Sequence, residues 1–119
     1  MGKLIALTLE RAGDLDTPLD PRFGRAGAFL IVDAETREIV STIDNESVEA
    51  AHGAGTGAAA TMSGANVDAV IAGRFGPKAY DALNRLGIQM WNAPQGLTAR
   101  EALDKMIAGE LTQMQIVKY

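Results

Sequence analysis

The segment from Val67 to Leu86 does most to limit what this chain can fold into. Val67, Val70 and Ile71, with Ala69 and Ala72, make a short, largely apolar run that ends at Gly73. Its brevity and its β-branched residues suit a strand covered on both faces, as in a sheet sandwiched by helices. Pro77 suits the first turn of a helix, where its missing N–H leaves no bond unmade. Ala79, Leu83 and Leu86 then recur at helical spacing, and Gly87 ends the helix. A central strand therefore hands over to a glycine-flanked loop that opens a helix. The free N–H groups of such a helix start are a ready place to hold an anion.

The flanking sequence supplies a sheet around that strand. Lys3 to Leu9 is nearly continuous and apolar and reads as a first strand. Residues 10–25 follow neither period and are dense in Gly, Asp and Pro, which predicts a long loop, and loops of that length are often functional. Gly27 to Asp33 and Glu38 to Ile43, joined by the turn Ala34–Arg37, read as an antiparallel hairpin. Asp44 to His52 is polar and irregular. Gly53 to Gly57 opens a helix running to about Gly64, with Ala58, Ala59, Met62 and Ala65 turned inward.

Ile88 to Trp91 is the next apolar run, followed by the loop Ala93–Gly96. Thr98 and Glu101 form a capping box for a last helix, with Ala102, Leu103, Met106 and Ile107 on its buried face and Gly109 at its end. Thr112 to Tyr119 is a tail suited to an edge strand or to a partner. This order predicts an α/β fold with a mixed, mostly parallel sheet and helices on both faces. The loops 10–25, 73–77 and 92–98, joined by 52–57, are expected on one edge of that sheet.

Composition narrows the chemistry. The 119 residues are read as a single domain, with 47% hydrophobic and 22% charged residues, as in a soluble globular protein. No apolar run approaches the roughly 20 residues of a membrane span. The N-terminal Met-Gly-Lys-Leu-Ile-Ala-Leu-Thr reads as a strand rather than a signal peptide, so the expected location is cytoplasmic. A net charge of −4 argues against a nucleic-acid surface. The absence of cysteine excludes disulfides and a thiolate-bound iron–sulfur cluster held by this chain alone.

The motifs each read two ways. In Asp20-Pro21-Arg22-Phe23-Gly24-Arg25 the two arginines form a fork-shaped anion receptor. Alternatively this is a structural turn, with Phe23 in the core and Arg22 paired to Asp20. Gly53-Ala54-Gly55-Thr56-Gly57 resembles a phosphate-cradling loop but lacks the P-loop and Rossmann spacings, and close helix–sheet packing explains its glycines equally. Arg74, Phe75, Gly76 and Lys78 raise the same pair of readings. His52, the only histidine, is either a metal ligand or a solvated side chain. Met90 and Trp91 are either core or pocket wall. Asp14, Asp16 and Asp20 lack the pattern of a calcium loop, and no nucleophile–base pair stands out. What the functional readings share is a place. Three helix N-termini with Arg22, Arg25, Arg74 and Lys78 would meet on one edge of an acidic protein, a local positive pocket suited to a polyanion.

Several of these strings together resemble the dinitrogenase iron–molybdenum cofactor biosynthesis family. They are Asp-Pro-Arg-Phe-Gly-Arg at 20–25 with Phe29 following, His-Gly-Ala-Gly at 52–55 and Val-Asp-Ala-Val-Ile-Ala-Gly at 67–73. Gly-Pro-Lys-Ala at 76–79, Leu-Gly-Ile at 86–88 and Glu-Ala-Leu at 101–103 complete the set. That family includes NifX- and NafY-type carriers, the C-terminal domain of NifB, and a small free-standing orange-protein branch, which this chain resembles most in its brevity and lack of cysteine. The resemblance implies a ribonuclease H-like, three-layer α/β/α fold whose five-stranded mixed sheet has one antiparallel strand. It also implies a non-enzymatic carrier of a molybdenum-containing sulfide cluster (Mo–Cu–S or Mo–Fe–S), held non-covalently and exchanged with donor and acceptor proteins.

On that expectation Arg22, Arg25 and Arg74 neutralise charge. The N–H groups near Gly53, Ala54, Gly55, Gly76 and Gly96 donate to sulfide. Phe23, Phe75, Met90 and Trp91 form apolar wall, and His52 is the candidate metal ligand. A competing reading is a metal-free regulatory module that binds a P-loop ATPase through an apolar tail at Met114, Ile116, Val117 and Tyr119. A third is a magnesium-dependent phosphoryl-transfer enzyme using Asp14, Asp16, Asp20 or Asp68.

Overall fold

A computed structural model describes residues 3–45 and 54–113. Among these residues six strands form one sheet in the order β3-β2-β1-β4-β5-β6, with three helices packed on it. The strands are β1 (Leu4–Leu9), β2 (Ala28–Asp33), β3 (Ile39–Asp44), β4 (Ala69–Ala72), β5 (Gln89–Asn92) and β6 (Thr112–Gln113). The helices are α1 (Ala54–Gly64), α2 (Pro77–Arg85) and α3 (Ala99–Ile107). β1, β4 and β5 pair in parallel, β2 runs antiparallel between β1 and β3, and β6 runs antiparallel to β5.

The first five strands are thus the mixed sheet expected, with β2 as its one reversed member. The sixth is the start of the tail, adding two residues to the edge. The strand at the centre of the sequence is central in space: all four residues of β4 are buried.

Alternation along the strands builds two cores. Ile5, Leu7, Leu9, Leu30, Val32 and Ile71 face one side and meet Ala99, Ala102 and Leu103 of α3. Ala6, Phe29, Ile31 and Val70 face the other and meet Ala58, Ala59 and Met62 of α1 and Ala79 and Leu83 of α2. Period 2 in a strand and period 3.6 in a helix make this three-layer arrangement the way to cover every apolar face. Two expected core residues are corrected: Leu86 is 46% and Ile107 45% exposed. Both sit at helix ends, where the chain turns away from the sheet before the helical period can place them on it.

From β1 the chain moves outward to β2 and β3, then returns to lay β4 on the opposite side of β1. The order reverses between β1 and β4. In open α/β sheets a ligand crevice forms outside the carboxyl ends of strands at such a point.

Candidate functional site

The loop from Glu10 to Gly27 crosses that switch point and is fastened there largely through backbone atoms. Leu9 and Leu19 form an isolated antiparallel bridge, and Pro18 another with Thr98. The Asp20 N–H donates to the Thr8 carbonyl at 2.8 Å, the Leu19 N–H to the Leu97 carbonyl at 2.9 Å, and the Gly27 N–H to the Leu9 carbonyl at 2.9 Å. The buried Thr8 hydroxyl donates back to the Asp20 carbonyl at 2.6 Å. Where this loop meets the one after β4, the backbones touch: a Cβ on Gly73 would lie 2.8 Å from the Pro21 Cα. Only glycine permits that approach.

Beyond Gly73 the two loops form a parallel bridge between Arg22 and Arg74. The Arg74 N–H donates to the Pro21 carbonyl at 2.7 Å, and the Phe23 N–H to the Arg74 carbonyl at 3.3 Å. Phe23 is buried against Phe29 and Phe75, with ring centroids 5.7 and 5.4 Å away. It is thus enclosed by other rings, not presented as a pocket wall, and it anchors both arginine-bearing loops to the α1/α2 side of the core.

Asp20, 3% exposed, is the buried anion of the site. Its Oδ1 accepts the Arg22 N–H at 2.9 Å and Nε at 3.3 Å, while Oδ2 accepts an Arg22 terminal nitrogen at 3.3 Å. The hydrogen bond and charge of Asp20 raise the Arg22 pKa above the usual guanidinium value. The pairing offered as the structural alternative for this turn is therefore present, and it leaves the Arg22 side chain half exposed. Arg25, Arg74 and Lys78 are exposed as well.

The helix starts differ. The N-cap of α2 is Gly76, no side chain caps it, and Pro77 takes the first turn. At α3 every early N–H is claimed: Thr98 and Glu101 exchange capping-box bonds at 3.0 and 3.2 Å. The Ala99 and Arg100 N–H groups donate to the Thr17 and Leu15 carbonyls at 3.0 and 2.7 Å. The expectation that three helix N-termini serve an anion is corrected for α3, whose donors are consumed by the long loop.

Beside α3 lies instead a cleft of about 300 Å³ lined by Glu10, Pro18, Pro21, Gly73, Gly96 and Leu97 among others. None of the four cations lines it. Gly96, with a φ of +88°, belongs to this cleft, whose one charged lining residue is Glu10. Trp91 is half buried against the α3-side core, and its indole N–H has no partner among the described residues. Met90 is core on the α1/α2 side.

Ala54 begins α1, and Gly55 follows it there. His52, Gly53 and the apolar tail from Met114 lie outside the described residues. The carboxylates of the hydrolytic reading are dispersed: Asp16 pairs with Arg100 and Asp20 with Arg22. Asp68 accepts the Leu4 N–H at the opposite edge of the sheet. Among the described residues no group of three potential ligands is placed to hold a metal ion. Sequence reading also passed over a repeated signal, Arg-Phe-Gly at 22–24 and again at 74–76, which is the pair of segments the fold lays side by side.

The family model for dinitrogenase iron-molybdenum cofactor proteins matches residues 3–109. The chain belongs to that family. Membership places it among proteins related to the carriage or biosynthesis of that cofactor. An uncharacterized protein of Methanocaldococcus jannaschii is 33% identical over 99 residues, spanning 82% of this chain and 83% of that protein. The apo form of the orange protein from Desulfovibrio gigas is 37% identical, with a TM-score of 0.89 over 96% of this chain and 94% of that one. A NifB-like protein from Thermotoga, solved by NMR, is 26% identical, with a TM-score of 0.82 over 100% and 98% of the two chains. No helix among the described residues is long and apolar enough to cross a membrane.

Proposed function

We infer that this protein is a non-enzymatic carrier for a polyanionic, molybdenum-containing metal–sulfur cluster, of Mo–Cu–S or Mo–Fe–S type. The observation that carries the reading is the loop edge where Arg22 and Arg74 are bridged, with Arg25 and Lys78 nearby in sequence and the α2 start uncapped. This cationic surface belongs to a chain of net charge −4 and no cysteine. Thiolate ligation is closed to it, so a cluster would be held by charge-assisted hydrogen bonds from guanidinium and backbone N–H groups. The 37% identity to an orange protein supports cargo of this class. Arg22, Arg25, Arg74, Phe75, Gly76 and the start of α1 at Ala54 and Gly55 are the proposed contacts. Phe23 backs the arginines. His52 and Gly53 are proposed beside them, His52 as the candidate metal ligand. Gly96 would take part only if the cargo reaches the cleft beside α3, and Trp91 only if it reaches the end of β5.

The test is anaerobic reconstitution of the full chain with tetrathiomolybdate, with and without copper or iron, followed by desalting. Retained visible colour at a fixed metal ratio per chain is the expected result, and replacing Arg22 and Arg25 with alanine should lower the retained metal without unfolding the protein. Loss of all metal from every mixture would overturn the reading in favour of a partner-binding module, with a P-loop ATPase as the first partner to try.

A further inference from the structure

The two Arg-Phe-Gly segments form a unit that neither makes alone. In a parallel bridge, register partners carry their side chains on the same side, and the next residues carry theirs on the other. The Phe23–Phe75 contact at 5.4 Å is the second half of that pattern. Arg22 and Arg74 are the first half, so their side chains leave the paired backbones side by side. Like charges in register repel each other. The fold meets this repulsion on one side only: Asp20 grips Arg22, while among the described residues no carboxylate pairs with Arg74.

Asp20 also uses only part of what Arg22 offers. A guanidinium has five N–H donors in a rigid fork. Two of these go to Asp20, through Nε and one terminal nitrogen. Three remain on Arg22, beside the five of Arg74. Asp20 itself is immobilised from below: its N–H and carbonyl are both bonded to Thr8 of β1.

We propose that Arg22 and Arg74 act together as a two-pronged clamp for a tetrahedral dianion, such as a thiometallate end of the cargo, and that Asp20 is the positioning residue that sets the first prong. This rests on the carrier reading above and adds to it which groups grip and which residue aims them. A tetrahedral dianion presents several equivalent acceptors, so each guanidinium can take a bidentate grip and the anion relieves the repulsion between the two.

The experiment titrates the full chain with tetrathiomolybdate under anaerobic conditions and reads bound colour after desalting, with circular dichroism on every variant. Arg74→Gln and Arg22→Gln should each weaken retention about tenfold, as for loss of a charged hydrogen-bonded contact. The double variant should lose far less than the product of the two, because one prong alone is no clamp. Independent effects that multiply would overturn the clamp.

Asp20→Asn decides the positioning role by its sign. Removing a negative charge beside an anion site strengthens binding if Asp20 acts only as a counter-charge, whereas loss of aim weakens it. If Asp20→Asn does not fold, Arg22→Lys replaces it. That variant keeps the charge and loses the fork, so the clamp predicts a loss close to that of Arg22→Gln, and unchanged retention would overturn it. A wild-type chain that retains no thiomolybdate with any metal overturns the carrier reading itself, whereas a loaded wild type with equally loaded arginine variants overturns the clamp alone.

Discussion

The starts of α2 and α3 are built from similar material and do opposite things. Each follows a parallel strand and a short loop at the same edge of the sheet. At α3 the chain fills its own donors: a threonine and a glutamate close the capping box, and two carbonyls of the long loop take the next N–H groups. At α2 a glycine stands at the cap and no side chain closes it, a proline follows, and Arg74 lies two residues before the cap. A helix N-terminus is thus an anion site only to the extent that the surrounding chain leaves it unsatisfied. The partial charge is common to both helices; the vacancy belongs to one.

This contrast can be broken experimentally in three ways. The largest effect is expected from Gly73→Ala, whose new methyl would meet the Pro21 backbone at 2.8 Å. Chemical denaturation should show a loss of about 2 kcal/mol. Thiomolybdate retention should fall with it, since the bridge that aligns Arg22 and Arg74 would be pushed apart. Next is Thr98→Ala, which removes the cap from α3 and should cost about 1 kcal/mol in the same measurement. Retention should be unchanged, because the loop carbonyls still occupy the neighbouring donors; a gain in retention would mean that α3 contributes after all.

The smallest stability change should come from Gly76→Asp, which gives α2 the kind of cap that α3 already has. Gly76 has an extended backbone, and a Cβ there would touch nothing. The variant should therefore be more stable by a few tenths of a kcal/mol, about 0.3, while its retention of thiomolybdate drops several-fold. A stabilised protein with full retention would remove the α2 start from the site.

The same comparison shows what the sequence could reveal. Its apolar runs were enough for the order of the elements, because strand and helix periods are local and each apolar face needs a cover. Thr98 and Glu101 were readable as a capping box, yet α3 was still expected to serve an anion. The closing carbonyls of Leu15 and Thr17 come from far along the chain, and the box itself already consumes donors. Leu86 and Ile107 fit the helical period and are nonetheless exposed, since period fixes a direction around the axis and not where the helix leaves the sheet. Asp20 was legible as a partner for Arg22 because the two are close in sequence. The alignment of Arg22 with Arg74 depends on a pairing between distant loops, and only the repeated Arg-Phe-Gly string hinted at it.

The loop from Glu10 to Gly27 is tied down mainly by amide and carbonyl groups, which are the same in every residue but proline. Its anchoring therefore places few demands on which side chains it displays. Arg22 and Arg25 can be exchanged for other residues while the ties to Thr8, Leu9, Leu97 and Arg74 persist. A frame of this kind is an open display: the loop path can stay fixed while the side chains it carries are varied, without reinventing the fold.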